Sequence, residues 1–297
     1  MTLPLLALVK TRTVLLDGAM GTELMARGLP WGTAPEAWNV ERPDVVKEIH
    51  GEYFAAGADV VSTNSFGGSA LKLAGHGLGD RTYELNLAAA RLAREIAPAG
   101  RYVAGSMGPT GKFLKPQGEF TEEDFAAAYA EQARGLADGG ADVLLVETQY
   151  DLREALAAVR GVRSVSLLPV FVTMTFNSFP RGYFTLMGDT VARSAAALEK
   201  EGVEAVGANC TLNSEQMVGC VRTLRASTDL PIIAQANAGQ PVIGQDGRVG
   251  YSQGLEDYVR FVPEIVRAGA GLVGGCCGTN PAFIRAMARI FNNKERS

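Results

Sequence analysis

Three of the four cysteines follow short apolar segments in a pattern that could bring their sulfur atoms together. Cys210 ends one such segment, and Cys276 and Cys277, flanked by glycines, end another one 66 residues later. If both segments are strands of one parallel barrel, their carboxyl ends meet at the same face. Three thiolates with an open fourth position are typical of zinc, because soft sulfur ligands suit a borderline-soft, tetrahedral ion.

The net charge of such a centre indicates its chemistry. Three thiolates around a divalent ion leave a net negative charge, so the centre activates water poorly but can hold an incoming thiol as a thiolate. A free alkyl thiol, with a pKa of about 8.5, is only a few per cent ionised at neutral pH, and coordination raises the concentration of nucleophile roughly 30-fold. These residues therefore predict alkylation of a thiol.

The alternatives for the cysteines are core positions and a disulfide. Free cysteine is among the most buried residue types, and we assign Cys220, within a predicted helix at 214–224, to the core. A disulfide between the adjacent Cys276 and Cys277 would be strained. The apolar run 3–9 has no basic residue before it and fails as a signal peptide. We therefore expect a cytoplasmic chain with reduced thiols.

Two carboxylates, Asp17 and Glu147, stand where apolar segments end. A buried carboxylate is costly unless it is paired or hydrogen-bonded, so the ammonium group of a ligand could satisfy both. Hydrogen bonds from backbone amides are the alternative. The loop 18–22 runs into a helix expected near Glu23, and its N–H groups could hold an anion such as a carboxylate. Together these features describe an amino-acid site with a zinc–thiolate centre at one end.

Other candidate sites are weaker. The segment 105–112 has one residue too many for a phosphate-binding loop, and Phe113 replaces the hydroxyl that would bind magnesium. His50 and His76 have no ligand spacing, and we expect both to lie away from the strand ends. The chain is 47% hydrophobic and 20% charged with a net charge of −4, which indicates a globular protein and argues against nucleic acid as a partner. No apolar run approaches the ~18 residues of a membrane span, so no membrane partner is expected.

A phrase that occurs four times indicates the elements that position these residues. A glycine suited to a helix end runs directly into an apolar strand; these glycines are Gly57, Gly140, Gly202 and Gly269. Their spacings of 83, 62 and 67 residues are each about twice the ~30 residues of one βα unit. The intervening strands are predicted from the apolar runs at 13–17, 102–107, 170–176 and 231–236.

Eight alternating strand–helix units in 297 residues favour a single α/β domain over 1–297, a (β/α)8 TIM barrel. Helices are predicted between the strands, for example at 86–97 and 121–137. The long connections at 111–120, 177–188 and 239–254 all follow strands, so the catalytic face is expected at the strand C-termini. A doubly wound open sheet stays open as the alternative, because one sequence does not show closure.

Several motifs together resemble the homocysteine S-methyltransferase family over nearly the whole chain. They are Asp17-Gly18-Ala19-Met20-Gly21-Thr22-Glu23, Thr63-Asn64-Ser65-Phe66, Gly108-Pro109-Thr110, Val146-Glu147-Thr148, Asn209-Cys210, Ala236-Asn237-Ala238-Gly239 and Gly274-Gly275-Cys276-Cys277-Gly278-Thr279. Through Thr63-Asn64-Ser65-Phe66 and Gly278-Thr279 the chain is most similar to the homocysteine-binding module of cobalamin-dependent methionine synthase.

The resemblance implies a zinc-dependent transferase that methylates homocysteine to methionine. It implies that Cys210, Cys276 and Cys277 are the zinc ligands and the catalytic residues, with homocysteine sulfur in the fourth place. It also implies the substrate-binding residues: Asp17 and Glu147 for the amino group, the backbone of Gly18 and Ala19 for the carboxylate, Asn64 in the motif named above, and Asn237, which matches an asparagine that can occupy the open metal position before substrate arrives.

Two departures from the family pattern affect the expected methyl donor. Ala236 stands where the family usually has proline, and the other domains of a methionine synthase are absent. We expect a methylcorrinoid, methylcobalamin, carried by a partner protein or domain. A small donor, S-methylmethionine or a betaine, is the alternative, as is methylation of a different thiol. A non-enzymatic zinc barrel, whose metal has no open position, is the third hypothesis.

Overall fold

A computed structural model of the chain describes residues 4–243 and 249–294. Eight parallel strands form one sheet in which chain neighbours pair and the first strand pairs with the last. They are β1 (Val14–Leu15), β2 (Val60–Ser62), β3 (Tyr102–Met107), β4 (Val143–Gln149), β5 (Val170–Met174), β6 (Ala205–Asn213), β7 (Ile232–Asn237) and β8 (Ala270–Gly275). A parallel bridge between Leu16 and Val60 joins β1 to β2. The predicted (β/α)8 barrel is confirmed, and the open-sheet alternative is wrong.

Helices return the chain between the strands. They are α1 (Leu5–Val9), α2 (Met20–Ala26), α3 (Trp38–Glu41), α4 (Pro43–Ala56), α5 (Ala70–Leu73), α6 (Thr82–Ile96), α7 (Glu122–Asp138), α8 (Leu152–Arg163), α9 (Val191–Lys200), α10 (Ser214–Arg225), α11 (Leu255–Arg260), α12 (Val262–Arg267) and α13 (Pro281–Lys294), with short 3-10 helices at Pro35–Ala37, Ala74–His76 and Gly79–Arg81. Within the described ranges, no helix has the length and apolarity that crossing a membrane requires.

Two antiparallel hairpins extend the long connections at the C-terminal face. The first hairpin, Asn177–Phe179 with Gly182–Phe184, follows β5, and the second hairpin, Pro241–Ile243 with Val249–Tyr251, follows β7. Both lie in connections that were predicted as loops. Part of the third predicted loop, 244–248, lies outside the described residues.

The local signals for the helices behave as expected, with one exception. The four repeated glycines all have positive φ, between 80° and 119°, which L side chains rarely adopt. α7 begins with a capping box in which Thr121 and Asp124 each bond the backbone of the other. The exception is α2, which begins at Met20 rather than near Glu23, so most of the predicted anion-binding loop is already helical.

Apolar side chains of the strands and of α1 fill the interior of the barrel towards its N-terminal end. The inward side chains of the strands, among them Leu16, Leu145 and Phe171, form a cluster with Leu5 of α1. The rest of α1 packs against the same cluster with partly buried side chains. Helix α1 therefore covers the N-terminal end of the barrel.

An acidic residue closes the N-terminal face in three of the four repeated phrases. Asp59, Asp142 and Glu204 each accept a hydrogen bond from a backbone amide of the neighbouring strand. The donors are Leu15, Val103 and Val170, at N···O distances of 3.0, 2.7 and 2.7 Å, and the paired arginines are Arg12 and Arg101, Arg94, and Arg163. Each carboxylate therefore accepts a hydrogen bond from the neighbouring strand, and one or two arginines neutralise its charge.

Candidate active site

The three predicted cysteines converge at the C-terminal face. Their sulfur atoms all lie within 4.8 Å of one another, and Cys210 Sγ is 3.9 Å from Cys277 Sγ. A tetrahedral zinc ion with Zn–S bonds of ~2.3 Å places its sulfur ligands ~3.8 Å apart, so this spacing fits a metal site. All three cysteines are half-buried. Cys220 is fully buried in α10, which confirms its assignment to the core.

Cys210 reaches the site because β6 breaks its register. Asn209 pairs with Gln235 of β7, yet four residues later Asn213 pairs with Asn237, only two residues further along β7. The extra residues form a bulge that begins at Cys210. Bulges turn side chains out of the regular alternation and are common beside active sites.

A second bulge lies in β4, directly after Glu147. Val146 pairs with Val172 and Gln149 with Met174, three residues against two. In the described chain the non-glycine residues with positive φ are Thr148, Cys210 and Thr211, at 60°, 63° and 56°. All three lie in these two bulges. Such backbone conformations cost roughly 1–3 kcal/mol each and cluster at functional sites.

Hydrogen bonding within the cluster makes its thiols unequal. Bonds from the thiols of Cys276 and Cys277 lower the pKa of Cys210, and Asn237 contributes a further side-chain bond in the same direction. The same contacts raise the pKa of Cys276. A metal would therefore find one sulfur already inclined to ionise and would have to displace protons from the others.

Asp17 lies buried at the end of β1, with 1% of its surface exposed. Its Oδ2 accepts from the Ser62 amide at 2.6 Å and its Oδ1 from the Ser62 hydroxyl at 3.1 Å. Burial raises the pKa of Asp17 to about 8, and the charge of Glu147 acts in the same direction. The predicted alternative for this group, hydrogen bonds from the backbone, is therefore partly realised.

Glu147 is the second carboxylate of the site. Ser106 Oγ donates to its Oε1 at 2.5 Å, and Asn209 Nδ2 lies 3.4 Å from its Oε2. Burial raises the pKa of Glu147 to about 7. Among the residues that the structure describes, no cation forms an ion pair with either Glu147 or Asp17.

One cavity of about 360 Å³ connects these groups. Its wall includes most of the predicted site residues, namely Asp17, Gly18, Ala19, Asn64, Glu147, Cys210, Cys276 and Cys277. Asn64 already donates to the Pro35 carbonyl and to Asn39 Oδ1, at 2.8 and 3.0 Å. The Ala19 amide donates to Thr279 Oγ1 at 3.3 Å.

Asn237 is absent from the cavity wall. Its Oδ1 is buried without a hydrogen-bond partner among the described residues, which is costly, while its side chain also bonds Cys210. Ala236, where proline was expected, is buried in β7, and its carbonyl accepts from the Cys276 amide at 2.8 Å. The departure from the family pattern therefore leaves this support of Cys276 in place.

The expectation that both histidines lie away from the strand ends is wrong for His76. His76 lines the cavity, because the connection after β2 folds over the mouth. His50 is fully buried in α4 with neither ring nitrogen bonded, and burial lowers its pKa to about 4.

Sequence reasoning missed several residues that support the site. Ser62, Ser106 and Asn209 bond the two carboxylates, and Thr279 links the Ala19 amide to the Cys276 carbonyl. A detectable signal existed for Ser106 and Asn209, because both are polar residues at strand ends.

A comparison with protein families now bears on this geometry. Residues 14–291 match the family model described as homocysteine S-methyltransferase. The chain belongs to the homocysteine S-methyltransferase family.

Individual relatives of this homocysteine S-methyltransferase family member differ in length. The methionine synthases of Mycobacterium tuberculosis and Mycobacterium leprae are 36% and 37% identical over 98% and 96% of the chain. The chain spans only about a quarter of their length, 26% and 25%. The metallated form of the Escherichia coli homocysteine methyltransferase MmuM is 28% identical with a TM-score of 0.81, and the match covers 97% of this chain and 100% of that one.

Proposed function

We propose that this chain methylates homocysteine on sulfur, giving methionine, with a zinc ion held by Cys210, Cys276 and Cys277. The observation that carries the proposal is the convergence on one cavity of three half-buried thiols and two carboxylates that form no ion pair with any described residue. The all-sulfur donor set suits zinc, and Asn237 would occupy the open position before substrate arrives. When bound, zinc would supply the ionisation of the substrate thiol at neutral pH.

The carboxylates of Asp17 and Glu147 would receive the amino group of homocysteine. Their burial disfavours ionisation, and an ammonium group between them would offset that cost. The substrate carboxylate would lie at the backbone of Gly18 and Ala19. Because the Ala19 amide already bonds Thr279, this contact requires exchange of one hydrogen bond for another.

These contacts would orient the substrate for an in-line displacement. With the amino acid held at the β1 and β4 ends, the sulfur lies at the β6 and β8 ends and one side of it faces the mouth of the cavity. Positioning of this kind can supply several kcal/mol, of the order of 7 or more in favourable cases. No general base is required from the chain once the thiol is ionised.

The donor is proposed to be a methylcorrinoid on a partner protein or domain. Two observations support it: the methionine synthase relatives are about four times longer, and the connections around the mouth expose large apolar side chains. Examples are Trp31, Leu186 and Ile243, with 82%, 68% and 80% of their surface exposed, together with Phe113 and Phe179. Exposed apolar groups gathered on one face mark interaction sites.

A small donor such as S-methylmethionine or a betaine is the second candidate. It is favoured by the full-length match to the E. coli homocysteine methyltransferase, which this chain covers completely. A free small molecule would need no apolar docking face, so the two candidates make different predictions for surface variants.

The deciding experiment is to incubate the zinc-loaded chain with homocysteine and each donor separately and to measure methionine. We expect product with methylcobalamin, and the Cys210→Ala chain should give none. Product with S-methylmethionine alone would select the small-donor alternative. Equal rates with 2-mercaptoethanol would reject homocysteine as the preferred thiol, and a zinc ion whose coordination does not change on adding homocysteine would reject the enzyme proposal.

The corrinoid partner can be tested on the apolar face. Leu186→Ser should raise the KM for a corrinoid protein several-fold while leaving the rate with free methylcobalamin unchanged. Leu167→Ser is a matched control, because Leu167 is 99% exposed in the connection before β5, on the opposite face. Equal behaviour of the two variants would contradict docking at the mouth.

A further inference from the structure

Asn209 contacts both halves of the site. It stands at the last regular position of β6 before the bulge and is 1% exposed. Its side chain reaches β4, β5 and the end of β8. One buried amide therefore contacts three strands or strand ends of the barrel.

The orientation of this amide is fixed by its oxygen. Asn209 Oδ1 accepts from the Thr148 backbone amide at 2.9 Å and from Thr173 Oγ1 at 2.8 Å. A backbone N–H can only donate, so exchanging the oxygen and nitrogen of the side chain would set two donors against each other. The NH2 group must therefore point to the opposite side.

The NH2 group faces three acceptors. Asn209 Nδ2 is 2.7 Å from Thr148 Oγ1, 3.4 Å from Glu147 Oε2 and 3.8 Å from Cys276 Sγ. A carboxylate and a thiolate can only accept hydrogen bonds. The NH2 group of Asn209 therefore lies within reach of Glu147, in the proposed amino-group site, and of Cys276, in the proposed metal site.

We propose that Asn209 is a positioning residue that holds the Glu147 carboxylate and the Cys276 sulfur together, so that the amino-group site and the metal site form one unit. The inference rests on the proposed function in so far as Glu147 binds the substrate amino group. One NH2 group within reach of both the carboxylate and the sulfur fixes their separation. Partners of metal ligands typically change metal affinity by about 10–100-fold.

The test uses Co²⁺ as the metal probe and L-2-aminobutyrate, an amino acid without a thiol, as the probe of the amino-group site. Asn209→Asp keeps the oxygen that Thr148 and Thr173 bond but replaces the donor by a second acceptor. Asn209→Ser removes the amide without adding charge and serves if the first variant does not fold. Thr175→Val is the matched control, because the one partner of Thr175 Oγ1 among the described residues is the backbone carbonyl of Asn209, at 3.0 Å.

We expect both Asn209 variants to lose about 10–100-fold in Co²⁺ affinity. In Asn209→Ser the sulfur-to-cobalt charge-transfer band should move to lower energy, because a hydrogen bond no longer stabilises the sulfur lone pairs. L-2-aminobutyrate should bind metal-free Asn209→Ser roughly tenfold more weakly, as loss of a bond to a charged group predicts. Thr175→Val should change none of the three.

An unchanged charge-transfer band and an unchanged L-2-aminobutyrate affinity in Asn209→Ser would overturn the inference. Equal losses in Thr175→Val would also overturn it, since they would indicate a general loss of structure. Failure of the proposed function is distinguishable: a wild-type chain that binds Co²⁺ through sulfur but does not bind homocysteine would reject the function, while the band comparison would still decide the contact between Asn209 and Cys276.

Discussion

Asp17 and Asp59 are two buried carboxylates that join the same pair of strands at opposite ends. At the N-terminal face, Asp59 accepts from the Leu15 amide of β1 and pairs with Arg12 and Arg101. At the C-terminal face, Asp17 accepts from the Ser62 amide of β2 and has no cation beside it in the described structure. Both carboxylates thus bond the same two strands. The negative charge of Asp59 is neutralised by arginines of the chain, whereas that of Asp17 is left for a ligand to neutralise.

The contrast extends to the rest of the two faces. Asp142 and Glu204 at the N-terminal face pair with arginines, whereas Glu147 at the C-terminal face has none among the described residues. The non-glycine residues with positive φ also lie at the C-terminal face. In barrels of this type, stability is associated with one face and chemistry with the other, and here the difference is visible in charge and in backbone strain.

The largest expected effect separates a cysteine of the C-terminal face from a cysteine of the core. Cys210→Ala should lower zinc affinity and methyl transfer by more than about 100-fold, since even residues beyond the metal ligands cost 10–100-fold. Its circular dichroism should stay that of the wild type. Cys220→Ala, which removes a fully buried thiol, should retain zinc and lose about 1–3 kcal/mol of unfolding free energy. Stoichiometric zinc in Cys210→Ala would contradict the assignment.

The next prediction exchanges each of the two aspartates for asparagine. The pKa of Asp17 is raised from its ordinary value to about 8, so the folded state binds its proton more tightly and loses stability as pH rises from about 4 to 8. Asp17→Asn should therefore stabilise the metal-free chain at pH 8, by on the order of 4 kcal/mol, and weaken homocysteine binding about 100-fold. Asp59→Asn should destabilise by about 3 kcal/mol, because it replaces a buried carboxylate that accepts charged hydrogen bonds from Arg12 and Arg101.

Denaturant unfolding of the metal-free proteins at pH 8 and isothermal titration with homocysteine measure these changes. The decisive result is the opposite sign of the two stability changes. If both variants lose stability to the same extent, the distinction between the faces is wrong.

A smaller effect concerns pH. The raised pKa values of Glu147, about 7, and Asp17, about 8, mean that both groups become anionic as pH rises towards 8. Affinity of the metal-free chain for L-2-aminobutyrate should therefore increase between pH 6 and 8, by about tenfold from the ionisation of Glu147 alone. Glu147→Gln should weaken binding more than it weakens zinc retention and should reduce the slope. A flat profile in the wild type would reject the role of these carboxylates.

The smallest effect concerns the strained backbone. Thr211 has a φ of 56°, and Thr211→Gly should stabilise the chain by about 1 kcal/mol. Gly57→Ala, at a φ of 110° and with Ala288 Cβ only 2.8 Å from the added methyl group, should destabilise it by more than about 1 kcal/mol. Melting temperatures of the two variants give the comparison, and a loss of stability in Thr211→Gly would show that the bulge is not strained.

The sequence allowed the barrel to be predicted because glycine ends and apolar runs recur with one period. The same periodicity located the cysteines at strand ends. It could not predict the bulges in β4 and β6, because an inserted residue leaves the apolar pattern almost unchanged while it turns Cys210 by a large angle. The arginine partners of Asp59 were also unpredictable, since Arg12 and Arg101 are distant in sequence. The position of His76 depends on the path of a long connection that no local pattern encodes.

The short junction between β1 and β2 gives Asp17 a second importance. Among the described residues, the main chains of β1 and β2 are joined by the bridge at Leu16 and Val60 and by the bond from the Asp59 amide to the Leu15 carbonyl. The hydrogen bond from the Ser62 amide to Asp17 is therefore an important further link between these two strands. An ammonium group that binds this carboxylate would compete with the Ser62 amide for the same oxygen atoms. Binding of substrate and release of product would then change how often β1 and β2 separate locally. The rate of deuterium exchange at the Ser62 amide would differ between the free and the ligand-bound chain.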